Sequence, residues 1–181
     1  MYLGIDLGTS SVKVIVVDDK GNIIDSASSK YPISYPKPLW SEQNPEDWWQ
    51  GTKDAIKRIV EKNPGIGDKV KGISFSGQMH GLVLLDANGE VLRPAILWND
   101  GRTQKQCDYL NNIIGKDKLS QYTGNIALSG FTGPKVLWVK ENEPEIFNKI
   151  AHILLPKDYI RYKLTGEYKM DVADASGTLF F

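Results

Sequence analysis

Residues 1–13 read MYLGIDLGTSSVK, and this stretch decides how the fold begins. The apolar pattern through positions 2–7 is typical of a β-strand, and a second, β-branched run begins at Val12. Between the two runs, positions 8–11 hold only glycine and small hydroxyl residues, which favour a sharp turn. We therefore expect two antiparallel strands joined by a short turn.

The residue types in this turn suit it to bind a phosphate. A tight turn exposes several backbone N–H groups in one concavity, and hydroxyl groups can donate to phosphate oxygens. Lys13 adds positive charge, and Asp6 at the strand end can hold a hydrated Mg²⁺ that bridges phosphates. The predicted phosphate-binding residues are Asp6, Gly8, Thr9, Ser10, Ser11 and Lys13. An ordinary hairpin, in which glycine and serine only shape the turn, remains the alternative.

Composition argues against several function classes. The 181 residues include 22 Lys plus Arg and 22 Asp plus Glu, so no basic excess attracts nucleic acid or an anionic membrane. Apolar residues form 41% of the chain, yet no run approaches the ~18 consecutive apolar residues of a membrane-spanning helix. The first residues lack the pattern of a signal peptide. We expect a cytoplasmic protein that binds neither nucleic acid nor a membrane.

The order of predicted elements defines the fold class. Strands are predicted at 2–7, 12–18, 23–28, 70–76 and 150–155, with a hairpin at 82–86 and 91–92. A helix starting at Pro45 and capped by Asn44 is predicted, with further helices at 103–114, 134–141, 144–149 and 157–164. This order predicts an α/β domain with a mixed sheet that opens with three antiparallel strands and is flanked by helices. A doubly wound sheet would alternate strands and helices from the start.

Two further segments carry candidate ligand-binding residues. Residues 74–81, SFSGQMHG, follow a buried strand, and their glycines let the backbone approach a ligand beside Gln78, Met79 and His80. Residues 97–103, LWNDGRT, offer the flat face of Trp98 to a sugar, with hydroxyl-binding groups on Asn99 and Asp100. The alternatives are a connecting turn for the first segment, and core packing with helix capping for the second.

One more segment and one more residue complete the pattern, and several motifs are absent. Residues 171–178, DVADASGT, predict a polar turn or a helix cap. Arg102 can form a forked pair with a carboxylate. The sequence contains no P-loop motif, no dinucleotide-binding glycine pattern and no zinc or serine-hydrolase motif.

Taken together, these motifs resemble the FGGY carbohydrate kinases. The matching stretches cover essentially the whole chain and are IDLGTSSVK, SGQMHG, LWNDGRT, TGN with GFTGPKVLW, LLPKDYIRYKLTG and DASGT. They are most similar to the members of the family that phosphorylate D-xylulose. The resemblance implies a ribonuclease-H-like fold of the actin-like ATPase superfamily.

The resemblance also implies a reaction and its cofactors. A hydroxyl of D-xylulose or a related ketose would attack the γ-phosphate of ATP, with Mg²⁺ near Asp6 and the sugar near Gln78–His80 and Trp98–Asp100. The aspartate general base of the family lies in a later segment, so no catalytic residue is expected in this chain.

The same resemblance sets an expectation for domain organisation. Residues 1–181 would form most of the amino-terminal kinase domain, truncated, with the adenine-binding carboxy-terminal domain absent and the isolated chain inactive. The apolar residues 177–181 at the chain end agree with a missing following element. The sequence leaves the oligomeric state open, and a homodimer is one possibility.

Three other hypotheses remain. The first is another sugar or polyol kinase of the same family. The second is a non-enzymatic, actin-like nucleotide-binding module, which would share the opening hairpin but would have no use for the two sugar-binding segments. A regulatory sugar-binding protein is a weaker third.

Overall fold

The computed structural model describes residues 1–180, and its largest sheet has four strands in the order β3-β2-β1-β5. The strands are β1 (Tyr2–Leu7), β2 (Ser11–Val17), β3 (Ile23–Lys30), β4 (Glu42–Gln43), β5 (Gly72–Gly77), β6 (Val83–Leu85), β7 (Ala95–Ile96) and β8 (His152–Leu154). The first three strands are antiparallel and β5 runs parallel to β1, so the predicted mixed sheet is confirmed. Phe181, the last residue of the apolar chain end noted above, lies outside the described residues.

Seven α-helices accompany the strands within residues 1–180. They are α1 (Pro45–Lys62), α2 (Gln104–Asp108), α3 (Lys116–Thr123), α4 (Thr132–Asn142), α5 (Pro144–Phe147), α6 (Pro156–Thr165) and α7 (Val172–Ser176). Short 3₁₀ and π-helical segments occupy Gly67–Lys69 and Tyr109–Gly115. No helix in this part of the chain is long and apolar enough to cross a membrane.

Alternation along β1 and β2 creates the main core. Every second residue from Leu3 to Leu7 and from Val12 to Val16 is buried, and this face packs against α1 and α6. Asn44 caps α1 by accepting a hydrogen bond from the Glu46 N–H, as predicted. A Cβ atom at Gly51 would lie 3.3 Å from the Tyr31 ring, so glycine permits the close approach of α1 to the sheet.

Two of the predicted elements differ from the structure. The hairpin predicted at 82–86 and 91–92 is short, with a bridge between Leu85 and Val91 and the Leu92 N–H donating to the Leu84 carbonyl at 2.9 Å, and the buried strand β6 also pairs with the distant strand β8. The single helix predicted over 103–114 is divided into α2 and a π-helical segment that ends at Gly115, where φ is 98°. Local periodicity reports neither long-range pairing nor a change in helix type.

Lys135, in the first turn of α4, is a fully buried cation. Its Nζ donates to the carbonyl oxygens of His80 at 2.8 Å and Gly130 at 2.7 Å, which joins the segment after β5 to the loop before α4. Burial lowers the pKa of Lys135 to about 7; Asp100 opposes this shift, and the charge of Arg102 adds to it.

This buried amine predicts a pH-dependent stability. An unfolded lysine keeps its proton to about pH 10, so between pH 7 and 10 the unfolded chain binds more protons than the folded chain. The free energy of unfolding should therefore increase with pH, by up to ~1.4 kcal/mol per unit from this group. Urea unfolding at pH 6, 7, 8 and 9 should show wild-type stability rising relative to Lys135→Met.

The matched control is Lys140→Met, which removes an exposed lysine from the same helix. Its stability difference from wild type should stay constant over the same pH range. A constant difference for Lys135→Met as well would show that Lys135 carries the same charge in both states.

Candidate functional site

The backbone carbonyl groups of the turn between β1 and β2 accept hydrogen bonds from the protein. The Gly8 carbonyl accepts a hydrogen bond from the Tyr31 hydroxyl, the Thr9 carbonyl from Gln43 Nε2 at 2.7 Å, and the Ser10 carbonyl from the Tyr31 N–H at 3.3 Å. Within residues 1–180 the N–H groups of Thr9 and Ser10 have no hydrogen-bond partner. These two donors can therefore bind an anion that approaches from outside.

Tyr31 is well suited to support this turn. Burial raises the pKa of its hydroxyl far above the ordinary value, and the nearby charge of Asp6 raises it further. The hydroxyl therefore keeps its proton and donates it to the Gly8 carbonyl. Because Tyr31 lies in the loop after β3, the position of this loop fixes the shape of the turn.

Asp6 lies on the sheet face opposite the main core. In register it stands between Lys13 on β2 and Ser76 on β5, and Ser76 Oγ donates to Asp6 Oδ1 at 2.8 Å. Its other oxygen has no hydrogen-bond partner among residues 1–180. A single exposed carboxylate with one unpartnered oxygen fits a Mg²⁺ ion that keeps most of its water and takes its remaining ligands from phosphates. No cluster of three metal-binding side chains occurs in this part of the chain.

Trp98 connects the two predicted sets of ligand-binding residues. Its Nε1 donates to Thr9 Oγ1 at 3.0 Å, although 89 residues separate the two. The indole is 45% exposed, so much of its ring is open to solvent. A cavity of about 320 Å³ lies beside this contact, lined by Asp6, Gly8, Thr9, Gly77, Gln78, Met79 and Trp98. The structure thus places residues from both predicted sets around one cavity.

Gln78 and Met79 follow β5 directly and enter the cavity from its side. The Gln78 N–H donates to the Leu7 carbonyl at 2.7 Å, which extends the pairing of β5 with β1 by one residue. Gln78 is buried, and its Nε2 donates to Gln43 Oε1 at 3.1 Å. Met79 is 54% exposed and provides a flexible apolar surface beside the cavity.

His80 is held in an unusual position behind Met79 and is not among the residues that line the cavity. Its backbone is left-handed, with φ at 58°, and its ring packs on Phe131 at a centroid distance of 4.4 Å. A Cβ atom at Gly177 would lie 2.7 Å from His80 Cε1, so only glycine leaves room for the ring. Burial lowers the pKa of His80, and the charge of Lys135 lowers it further, so the ring is neutral at pH 7.

Asn99 and Asp100 differ in their surroundings. Asn99 is exposed, whereas Asp100 is buried. One Asp100 oxygen accepts from the Ser41 N–H at 2.6 Å and from Arg102 Nη2 at 2.7 Å, and the other accepts from Arg102 N and Nε, both at 2.9 Å. Asp100 is therefore the carboxylate with which Arg102 forms the predicted forked ion pair. Its contact with a sugar stays a prediction.

A buried ion network supports the segment that carries Trp98. The Arg102 guanidinium lies 3.7 Å from the Trp40 ring centroid and 4.9 Å from that of Trp138, and it also pairs with Glu42 at 2.7 Å. Arg93 pairs with the same Glu42 carboxylate. Close cation–π contacts and multiple charge-assisted bonds restrain Arg102 far more than a surface ion pair would.

The remaining sequence-predicted residues fall at or near the turn. Ser10 is exposed and Ser11 begins β2, while Lys13 is exposed beside Asp6. The helix cap predicted in 171–178 is confirmed, because Asp171 caps α7 by accepting from the Asp174 N–H at 2.9 Å.

The residues that sequence analysis missed are the internal supports of the site, namely Tyr31, Gln43, Lys135 and Gly177. Their supporting roles do not show in the sequence, because each acts on a segment that is distant along the chain. The glutamine before the helix cap at Asn44 and the lysine after Pro134 look like ordinary loop and helix residues.

A family model and relatives of known name both match this chain over nearly its whole length. The model of the FGGY family of carbohydrate kinases, N-terminal domain, matches residues 1–181. The chain is 49% identical over 180 residues to xylulose kinase of Escherichia coli (strain K12) and 51% identical over 177 residues to that of Bacillus subtilis (strain 168). These alignments cover 99% and 98% of the chain but only 36% and 35% of the relatives.

The solved structures agree with this result. The crystal structure of a xyloylose kinase from Brucella ovis superimposes with a TM-score of 0.95 at 44% identity, covering 99% of this chain and 37% of that one. The predicted fold class, ribonuclease-H-like within the actin-like ATPase superfamily, is thereby confirmed. With a match over its full length to the family model, the chain belongs to the FGGY family of carbohydrate kinases.

Proposed function

We propose that this chain forms the amino-terminal part of a kinase that transfers the γ-phosphoryl group of ATP to D-xylulose and yields D-xylulose 5-phosphate. The observation that carries the proposal is that one cavity is lined both by the turn between β1 and β2 and by Gln78, Met79 and Trp98. Relatives named xylulose kinase that are about half identical over this region support the choice of sugar. The cytoplasm, where ATP is present, is the proposed location.

Each side of the cavity has a defined task in this reaction. The exposed indole face of Trp98 covers the C–H surface of the ketose, and the Gln78 amide bonds its hydroxyl groups. Asn99 does not line the cavity, but it is exposed next to Trp98 and is proposed to bond the sugar from the cavity's rim. The free N–H groups of Thr9 and Ser10 hold a phosphate of ATP, assisted by the charge of Lys13. Holding both reactants side by side supplies much of the rate in phosphoryl transfer, because little covalent chemistry is asked of the protein.

Asp6 is proposed to hold Mg²⁺ through water beside the phosphates. When bound, Mg²⁺ neutralises the negative charge that the phosphate oxygens carry. Ser76 leaves one Asp6 oxygen unpartnered within residues 1–180, and this oxygen can accept hydrogen bonds from metal-bound water. The general base is proposed to come from outside residues 1–181, in the part of the relatives that this chain does not span.

The direct test is a phosphorylation assay of the longer protein that carries this chain. With ATP and Mg²⁺, kcat/KM for D-xylulose should exceed that for L-ribulose, glycerol and D-ribulose by at least about tenfold. A better rate with glycerol or another ketose would indicate a different member of the family. ATP binding without phosphorylation of any sugar would favour a non-enzymatic nucleotide-binding module. Gel filtration of the same sample shows whether the protein is a monomer or a homodimer.

The Asp6→Asn variant tests the phosphate side of the site. The substitution keeps the size of the side chain but removes its charge, so kcat should fall about 100-fold while KM for D-xylulose changes less than about threefold. The melting temperature should stay close to wild type, since Asp6 is exposed. Steady-state kinetics and thermal unfolding provide the two measurements.

Asp19→Asn is the matched control for this variant. Asp19 is also an exposed carboxylate paired with a neighbouring side chain, Lys71, but it lies beyond the far end of β2. Its kinetics should equal those of wild type. Unchanged turnover in Asp6→Asn would remove Asp6 from the phosphate site.

The Gly177→Ala variant tests His80 on the sugar side. Gly177 has φ of −79°, which alanine also adopts, so the main effect is the added Cβ pushing against the His80 ring. We expect KM for D-xylulose to rise about tenfold with little change in KM for ATP. Gly67→Ala is the control, because its Cβ would meet nothing within 4 Å. Equal KM values in both variants would exclude His80 from the sugar site.

A further inference from the structure

Gln43 is a buried glutamine whose side-chain amide uses its full hydrogen-bonding capacity. Its Nε2 donates to the carbonyls of Thr9 at 2.7 Å and Pro32 at 3.1 Å. Its Oε1 accepts from Trp48 Nε1 at 3.0 Å and from Gln78 Nε2 at 3.1 Å. An amide has two N–H donors and two acceptor lone pairs, so all four are occupied.

The orientation of this amide is determined by its neighbours. Carbonyl oxygens can only accept, so Thr9 and Pro32 must face the Gln43 nitrogen. The indole of Trp48 can only donate, so it must face the oxygen. The side chain is 2% exposed, and a flipped amide would leave several buried groups without partners.

The Gln43 amide therefore also sets the orientation of Gln78. Since Gln43 presents its oxygen to Gln78, the Gln78 nitrogen must point towards Gln43. The Gln78 Oε1 atom is buried and has no hydrogen-bond partner within residues 1–180. Gln78 lines the cavity, so this unpartnered acceptor lies just beneath the surface that a bound ligand would contact.

We propose that Gln43 is a positioning residue that couples the turn between β1 and β2 to the segment Gln78–His80, so that ATP and the sugar each strengthen the binding of the other. This inference rests on the proposed function. The amide is planar and rigid, so a displacement of the Thr9 carbonyl moves the Gln43 oxygen and with it the Gln78 amide. Coupling between two binding sites is reciprocal, so a sugar bound at Gln78 steadies the Thr9 turn for ATP.

The competing explanation is that Gln43 only supports the start of α1 through Trp48. Gln43→Met and Trp48→Phe separate the two possibilities. Gln43→Met removes all four hydrogen bonds, because methionine has a similar length but cannot replace the amide group. Trp48→Phe removes the indole donor alone and leaves the bonds to Thr9 and Gln78 in place.

The measurement is the dissociation constant of D-xylulose in the longer protein, with and without a non-hydrolysable ATP analogue, by isothermal titration calorimetry. In wild type and Trp48→Phe, the analogue should tighten sugar binding by about fivefold or more. In Gln43→Met this ratio should fall close to one, and kcat/KM should drop about tenfold or more. A ratio in Gln43→Met equal to that of wild type would overturn the inference.

Hydrogen exchange without ligands tests the same inference independently of the reaction. Gln43→Met should exchange faster than wild type both in residues 7–12 and in residues 76–82. Trp48→Phe should accelerate exchange in α1 and leave these two segments unchanged. Wild-type exchange in both segments of a folded Gln43→Met would refute the positioning role. By contrast, a wild-type protein that does not phosphorylate D-xylulose would refute the proposed function alone.

Discussion

Parallel pairing of β1 with β5 is the constraint on which the site depends. It sets Leu7 opposite Gly77, so the turn after β1 and the segment after β5 leave the sheet at the same edge. The contact is tight, because a Cβ atom at Gly77 would lie 3.1 Å from both the Cβ and the carbonyl oxygen of Leu7. The Leu7 carbonyl then accepts from the Gln78 N–H at 2.7 Å. Two stretches of chain 70 residues apart thereby become the two sides of one cavity.

Polar groups inside the protein hold the loops around this cavity. Asp100 and Arg102 fix the segment that carries Trp98, Lys135 fixes the carbonyl of His80, and Gln43 fixes the Thr9 turn. Burying such groups costs free energy unless their hydrogen bonds are satisfied, so they add less to stability than to the choice of one conformation. The loops of this site have little regular structure of their own and depend on these internal bonds.

The same arrangement explains why sequence analysis indicates residues that line the candidate cavity but not the residues that hold them in place. Asp6, Thr9, Gln78 and Trp98 were predicted because their residue types match a ligand and their positions follow strands. Gln43 and Lys135 each donate to a backbone carbonyl that is distant along the chain, that of Thr9 and that of His80, and no local pattern reports such a contact. Asp100 lies between these two groups. A carboxylate next to a tryptophan is compatible with sugar binding, but in the structure it forms an ion pair with Arg102.

By itself, the sequence determined the elements whose cause is local. Alternation placed β1 and β2, a proline after a capping asparagine began α1, and the glycine and hydroxyl residues at 8–11 marked the turn. Only the tertiary structure decided that β6 pairs with β8, that Trp98 donates to Thr9, and that Gly177 makes room for the His80 ring. Periodicity and turn chemistry are short-range properties of a chain, whereas these contacts arise when the buried faces of distant segments pack together.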